Sequence, residues 1–91
     1  MASPIFGESI LVSVFTRQKA LFQGEAYGLT SRNEKGVFDI LPRHANFITL
    51  IKQFLTIYTK EEGKKEYPLD NGVLEVDRNR VWVYIGVGSS K

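Results

Sequence analysis

Residues 47–59, FITLIKQFLTIYT, decide the fold of this 91-residue chain. Phe47, Leu50, Ile51, Phe54, Leu55 and Tyr58 follow the i, i+3, i+4, i+7 spacing of an amphipathic helix. The same stretch carries Ile48, Thr49, Ile51, Thr56, Ile57 and Thr59. β-Branched side chains lose rotamer freedom in a helix and fit a pleated sheet well. Periodicity alone supports either element. The stretches on both sides read as strands, so two strands, Phe47–Ile51 and Leu55–Thr59, are the preferred reading, and with them an all-β chain.

Turn signals recur at short intervals on either side, at Thr16–Lys19, Arg32–Gly36, Lys60–Lys65, Asp70–Gly72 and Asp77–Arg80. Short runs rich in β-branched and aromatic residues lie between them, a spacing that favours an antiparallel sandwich or barrel. In Ser9–Phe15, Ile10, Val12 and Val14 share one face, with Leu11 and Phe15 on the other. Ala20–Gln23 and Ala26–Ser31 read as two strands joined at Gly24. Val37–Leu41 is short and stops at Pro42, which cannot donate to a ladder. Leu74 and Val76 alternate with Glu75 and Asp77. Val81, Val83 and Ile85 alternate with Trp82 and Tyr84. Asn71-Gly72 can supply a tight turn with positive φ.

Composition bounds the function. Ninety-one residues make one domain, and 43% hydrophobic with 24% charged residues is an ordinary globular balance. A net charge of +2 does not by itself argue for nucleic acid. With no cysteine, a disulfide scaffold or thiolate metal site is excluded. No run approaches the roughly 18 apolar residues of a membrane-spanning helix, so no direct membrane insertion is expected. Residues 1–8 and the glycine- and serine-rich residues 87–91 are expected to be flexible ends around a domain at 9–86.

Gly36–Asn46, GVFDILPRHAN, concentrates residues with positional meaning, including His44, the one histidine. His44 could act as a general base, a metal ligand or a contact residue; the plainer alternative is a loop histidine bonded to nearby backbone. No ligand spacing suggests a transition-metal site, and no GxSxG nucleophile elbow is present. Gly24, Gly28 and Gly36 are not spaced as a phosphate-binding loop. The mixed-sign clusters at Lys60–Glu66 and Asp77–Arg80 read as solvated hairpin tips. Trp82 and Tyr84 form either a second buried face or an exposed partner surface.

The loop also carries a resemblance. Gly36-Val37-Phe38-Asp39-Ile40-Leu41-Pro42-Arg43-His44-Ala45-Asn46 resembles the GxFGxLPGHAP loop of the epsilon subunit of the rotary F-type ATP synthase. Asn71-Gly72-Val73-Leu74-Glu75-Val76 is similar to that family's SGGFLEV stretch, and Leu21-Phe22-Gln23-Gly24-Glu25-Ala26 to its vvFeGev stretch. Order and spacing agree over roughly residues 9–86. The chain departs from the pattern at Val37 (often acidic in the family), at Asp39 and Arg43 (glycines) and at Asn46 (proline).

The resemblance implies a flattened antiparallel β-sandwich of about ten strands, with Phe47–Thr59 as two of them. The family's two-helix C-terminal hairpin does not follow before Lys91. It implies a non-catalytic central-stalk subunit that couples proton flow to ATP synthesis, with no cofactor or metal of its own. Its partners would be the gamma subunit and the c-ring, and its location the cytoplasmic face of a membrane, peripheral through the complex. Val37, Phe38, Arg43 and His44 match the ring-facing loop, and Trp82 and Tyr84 are the candidate stalk-facing patch. Two other readings are open: a stand-alone epsilon-like binding module outside the ATP synthase, motivated by the departures, and a small hydrolase using His44.

Overall fold

In the computed structural model, which describes residues 8–86, all regular structure is β-strand. The strands are β1 (Ile10–Phe15), β2 (Ala20–Asn33), β3 (Gly36–Ile40), β4 (Phe47–Thr59), β5 (Lys64–Asp77) and β6 (Arg80–Ile85). Apart from Glu8, the expected flexible ends lie outside the described residues.

The strand order is β1-β6-β5-β4-β2-β3, and β1 also pairs with β2. That extra pairing closes β1, β6, β5, β4 and β2 into a barrel and leaves β3 as an edge strand on β2. The β1–β6 pair is parallel and the rest are antiparallel.

Six strands stand where about ten were expected, because three apparent breaks are bends inside long strands. Ala20–Gln23 and Ala26–Ser31 belong to one strand, β2. Its register with β4 slips between Ala26 and Gly28, so Tyr27 is an extra residue. The slip moves the inward set from Ala26 to Leu29 and Ser31. β4 likewise runs unbroken through Lys52 and Gln53. Ile51 pairs with Gly72 but Gln53 pairs with Leu69, so Asp70 and Asn71 together oppose Lys52. A bulge of this kind bends the strand and lets it serve two sides of a barrel.

The tight turn expected at Asn71-Gly72 is therefore absent: both residues lie within β5 and neither has positive φ. Gly72 serves close approach instead. A Cβ there would lie 2.8 Å from the Tyr84 carbonyl oxygen and 3.3 Å from Ile51 Cγ1. Lys64–Glu66, expected as part of a turn cluster, instead opens β5, whose first half runs to Leu69. That half pairs only with β4, and its free side accommodates Pro68, which has no N–H to offer a second neighbour.

The other turns fall where expected. The Thr16 hydroxyl accepts the backbone N–H groups of Gln18 and Lys19 at 3.2 and 3.3 Å. Arg78 and Asn79, at φ 54° and 65°, make the two-residue β5–β6 turn, whose paired left-handed residues match the strand twist.

The core is aliphatic. Ile10, Val12 and Val14 of β1 and Val81 and Val83 of β6 point inward, the faces expected from their alternation. They meet Leu29, Ile40, Ile51, Leu55, Ile57, Leu74 and Val76. Each such side chain contributes about 1.5–3 kcal/mol on full burial. The buried Ser31 hydroxyl donates to the Phe54 carbonyl at 2.7 Å, which satisfies both groups.

Candidate functional site

The loop Leu41–Asn46 joins edge strand β3 to β4. Its base sits on Gly28, where a Cβ would come within 2.8 Å of both the Ile40 carbonyl oxygen and Leu41 Cδ2. The His44 N–H donates to the Leu41 carbonyl at 3.1 Å and closes a turn around Pro42 and Arg43. Arg43 takes φ 69°, in the left-handed region that glycine enters freely, at the position where the resembled pattern has glycine.

The loop is tied to the neighbouring β5–β6 turn. The Arg43 N–H donates to Asn79 Oδ1 at 2.6 Å, and the Arg78 N–H donates to Asn46 Oδ1 at 3.1 Å. The Arg43 guanidinium pairs with the Glu8 carboxylate, and Arg78 Nε lies 3.3 Å from Asp77 Oδ1. Both arginine side chains are largely exposed, Glu8 is more covered, and such surface pairs add little to stability.

His44 Nδ1 lies 2.8 Å from the Ala45 carbonyl oxygen. A carbonyl only accepts, so Nδ1 carries the proton in this arrangement. The imidazole lies 5.5 Å from the Phe47 ring, and Phe47 meets Phe38 edge-on at 5.8 Å. Of the readings open for His44, this geometry is the backbone-bonded loop residue. Among the described residues no three His, Asp or Glu side chains converge on a point that could hold a metal ion.

The loop residues singled out in the sequence are only partly gathered. Phe38, Phe47 and His44 form one aromatic chain, with Arg43 beside it. Phe38 is half-buried against the core. Val37 is exposed but lies toward the Glu34–Lys35 end of β3, opposite Arg32 and on the other face from Phe38. Asp39 is engaged elsewhere, accepting from the Thr30 hydroxyl at 2.6 Å on an outer surface that Tyr58 shares.

A second surface is broader. Ladder registers place Leu50, Val73, Tyr84 and Phe15 in one row across β4, β5, β6 and β1, and Ile48, Glu75, Trp82 and Ser13 in the next. Their neighbours Ile51, Leu74, Val83 and Val14 point inward, so these rows point out. Ile48 is 66% exposed and Leu50 71%, and Leu11 and Tyr84 are also exposed. Tyr84 stacks on Phe15 with centroids 5.5 Å apart, while Trp82 is half-buried. Together these residues make an outward apolar face across β4, β5, β6 and β1.

Of this outer face, Trp82 and Tyr84 were singled out in the sequence, and Ile48, Leu50 and Val73 were not. The signal was there: with Phe47, Thr49 and Ile51 inward, Ile48 and Leu50 must face out. Asn46 and Asn79 were missed as well, because their partners are more than thirty residues away.

The family model described as ATP synthase, Delta/Epsilon chain, beta-sandwich domain matches residues 9–86. The ATP synthase epsilon chain of Sulfurimonas denitrificans is 33% identical over 75 residues, covering 81% of this chain and 58% of that protein. Its counterpart in Leptospira borgpetersenii is 30% identical over 87 residues, covering 96% and 68%. The chain thus spans little more than half to two thirds of these relatives. Among solved structures, a chain of the Euglena gracilis mitochondrial ATP synthase OSCP/F1/c-ring assembly superposes with a TM-score of 0.77 at 16% identity, covering 85% of this chain and 50% of that one. A chain of the Tetrahymena thermophila central stalk and c-ring gives 0.72 at 14% identity, covering 87% and 64%. At such identities these two show a shared fold.

Proposed function

The chain belongs to the family of ATP synthase delta/epsilon chains, as their β-sandwich domain, and from that membership we propose that it is a non-catalytic subunit of the central stalk. In this reading the Leu41–Asn46 loop, with Arg43 and His44, docks on the polar loops of the c-ring. The row of Leu50, Val73, Tyr84 and Phe15, flanked by Ile48 and Trp82, docks on gamma. The subunit links ring rotation to the stalk and performs no chemistry.

The family match over residues 9–86 carries the reading. The two surfaces support it physically. A stalk subunit needs one persistent interface, for which an exposed apolar face is suited, and one polar contact, for which a pre-shaped loop is suited. No helix among the described residues is long and apolar enough to cross a membrane, and attachment at the cytoplasmic face is proposed to be peripheral, through the complex.

The absence of cysteine makes the test direct. Single Leu50→Cys and His44→Cys variants are expressed in cells that carry the ATP synthase and are oxidised in isolated membranes against cysteines placed in gamma and in the ring loops. Leu50→Cys should cross-link to gamma and His44→Cys to the ring. Cross-links to neither subunit, with the complex intact, would refute the stalk assignment.

A further inference from the structure

We infer that Asn46 and Asn79 are positioning residues that bind the Leu41–Asn46 loop and the Arg78–Asn79 turn into one rigid docking unit; this rests on the docking role proposed above for that loop. Each asparagine serves the other segment. Asn79 Oδ1 accepts the Arg43 N–H at 2.6 Å, and Asn46 Oδ1 accepts the Arg78 N–H at 3.1 Å. Neither segment can shift without breaking a bond to the other.

The bonds hold the backbone where it most needs holding. Arg43, Arg78 and Asn79 have φ of 69°, 54° and 65°. Non-glycine residues persist there only where their surroundings over-determine them. The unit is anchored in turn to the barrel, because the Leu11 N–H of β1 donates to the Asn79 carbonyl at 2.9 Å. Asn46 stands where the resembled pattern has proline, whose ring offers no side-chain acceptor, so this half of the clamp belongs to the chain's own sequence.

The clamp spends backbone amides and leaves side chains outward. The Arg43 and Arg78 side chains are 75% and 87% exposed. Two guanidinium groups are thereby carried on a fixed backbone, Arg43 paired with Glu8 and Arg78 with Asp77, and a partner's carboxylate or carbonyl oxygens can exchange for these weak surface pairs. A loop ordered beforehand loses less freedom on binding. Arg78, in a turn that reads from sequence as a solvated tip, joins Arg43 and His44 on the docking surface.

The test uses the full chain and purified c-ring in lipid nanodiscs. Asn79→Gly deletes one acceptor while keeping a residue that favours the left-handed turn, and Asn46→Ala deletes the other. Asn79→Gly should speed amide exchange at Arg43 by about tenfold, and Asn46→Ala at Arg78, as for loss of one hydrogen bond, with core amides of β1 and β6 unchanged. Ring affinity should fall about three- to tenfold in each. Unchanged exchange at both amides would overturn the clamp. Faster exchange with undiminished ring affinity would overturn its positioning role and leave the docking reading intact. A wild-type chain that does not bind the ring would overturn the docking reading, and the positioning role with it.

Discussion

Gly72→Ala probes how the barrel closes. The added methyl would lie 2.8 Å from the Tyr84 carbonyl oxygen and 3.3 Å from Ile51 Cγ1. The first obstacle is backbone of β6 and cannot rotate away, so β5 and β6 must separate where β5 leaves its bulge. Overpacking of this sort costs about 1–3 kcal/mol. A domain of this size has a total stability of roughly 5–14 kcal/mol. A loss of about 2 kcal/mol lowers Tm by about 8–16 °C. Gly24→Ala is the matched comparison. Its Cβ would lie 3.1 Å from Phe22 Cζ, the tip of a half-buried side chain that need yield only a few tenths of an ångström, so its cost should stay within about 0.5 kcal/mol. Urea and thermal unfolding followed by the fluorescence of Trp82, the one tryptophan, would measure both. If Gly72→Ala is no more destabilising than Gly24→Ala, the reasoning that Gly72 serves close strand approach is wrong.

Other substitutions test separate parts of the fold. Gln53, exposed at φ 75° in the bend of β4, should be better as glycine: Gln53→Gly is expected to gain about 1 kcal/mol by thermal unfolding, and a loss would show that its side chain matters there. Ser31→Ala removes the buried donor to the Phe54 carbonyl and should cost about 1–3 kcal/mol; a neutral result would mean that the carbonyl finds another partner. Leu50→Asp should leave the unfolding free energy from urea titration within about 0.5 kcal/mol of wild type while abolishing capture of gamma, whereas Leu74→Ala, in the core, should cost about 2–5 kcal/mol. Equal destabilisation by the two would place Leu50 in the core and remove the apolar outer face.

Much of the architecture was legible because it is local. The faces of β1 and β6 follow from strict alternation, and four of the five turns from their residues. What was not legible depends on pairing between distant strands. Phe47, Ile51 and Leu55 recur every four residues, a multiple of the strand period of two, and Leu50, Phe54 and Tyr58 do the same on the other parity. Two strand faces that are both partly apolar thus imitate a helix. Asp70-Asn71-Gly72 has the composition of a turn, yet β4 supplies a partner on each side of it, and the chain forms a bulge instead. Lys64–Glu66 looks like a solvated tip because it is three consecutive charged residues, and it is part of a strand only because β4 lies beside it. The loop was recognisable from Pro42, Arg43 and His44, but its hold on Asn79 spans 36 residues and leaves no local pattern.

The most direct test of the stalk assignment is affinity capture of the tagged chain from detergent-solubilised membranes of its source cells, with the recovered complexes resolved on a native gel and identified by mass spectrometry. The assignment predicts recovery of gamma, the ring subunit and the catalytic subunits in one band with the chain. Recovery of the chain with other proteins and no ATP synthase subunit would contradict it.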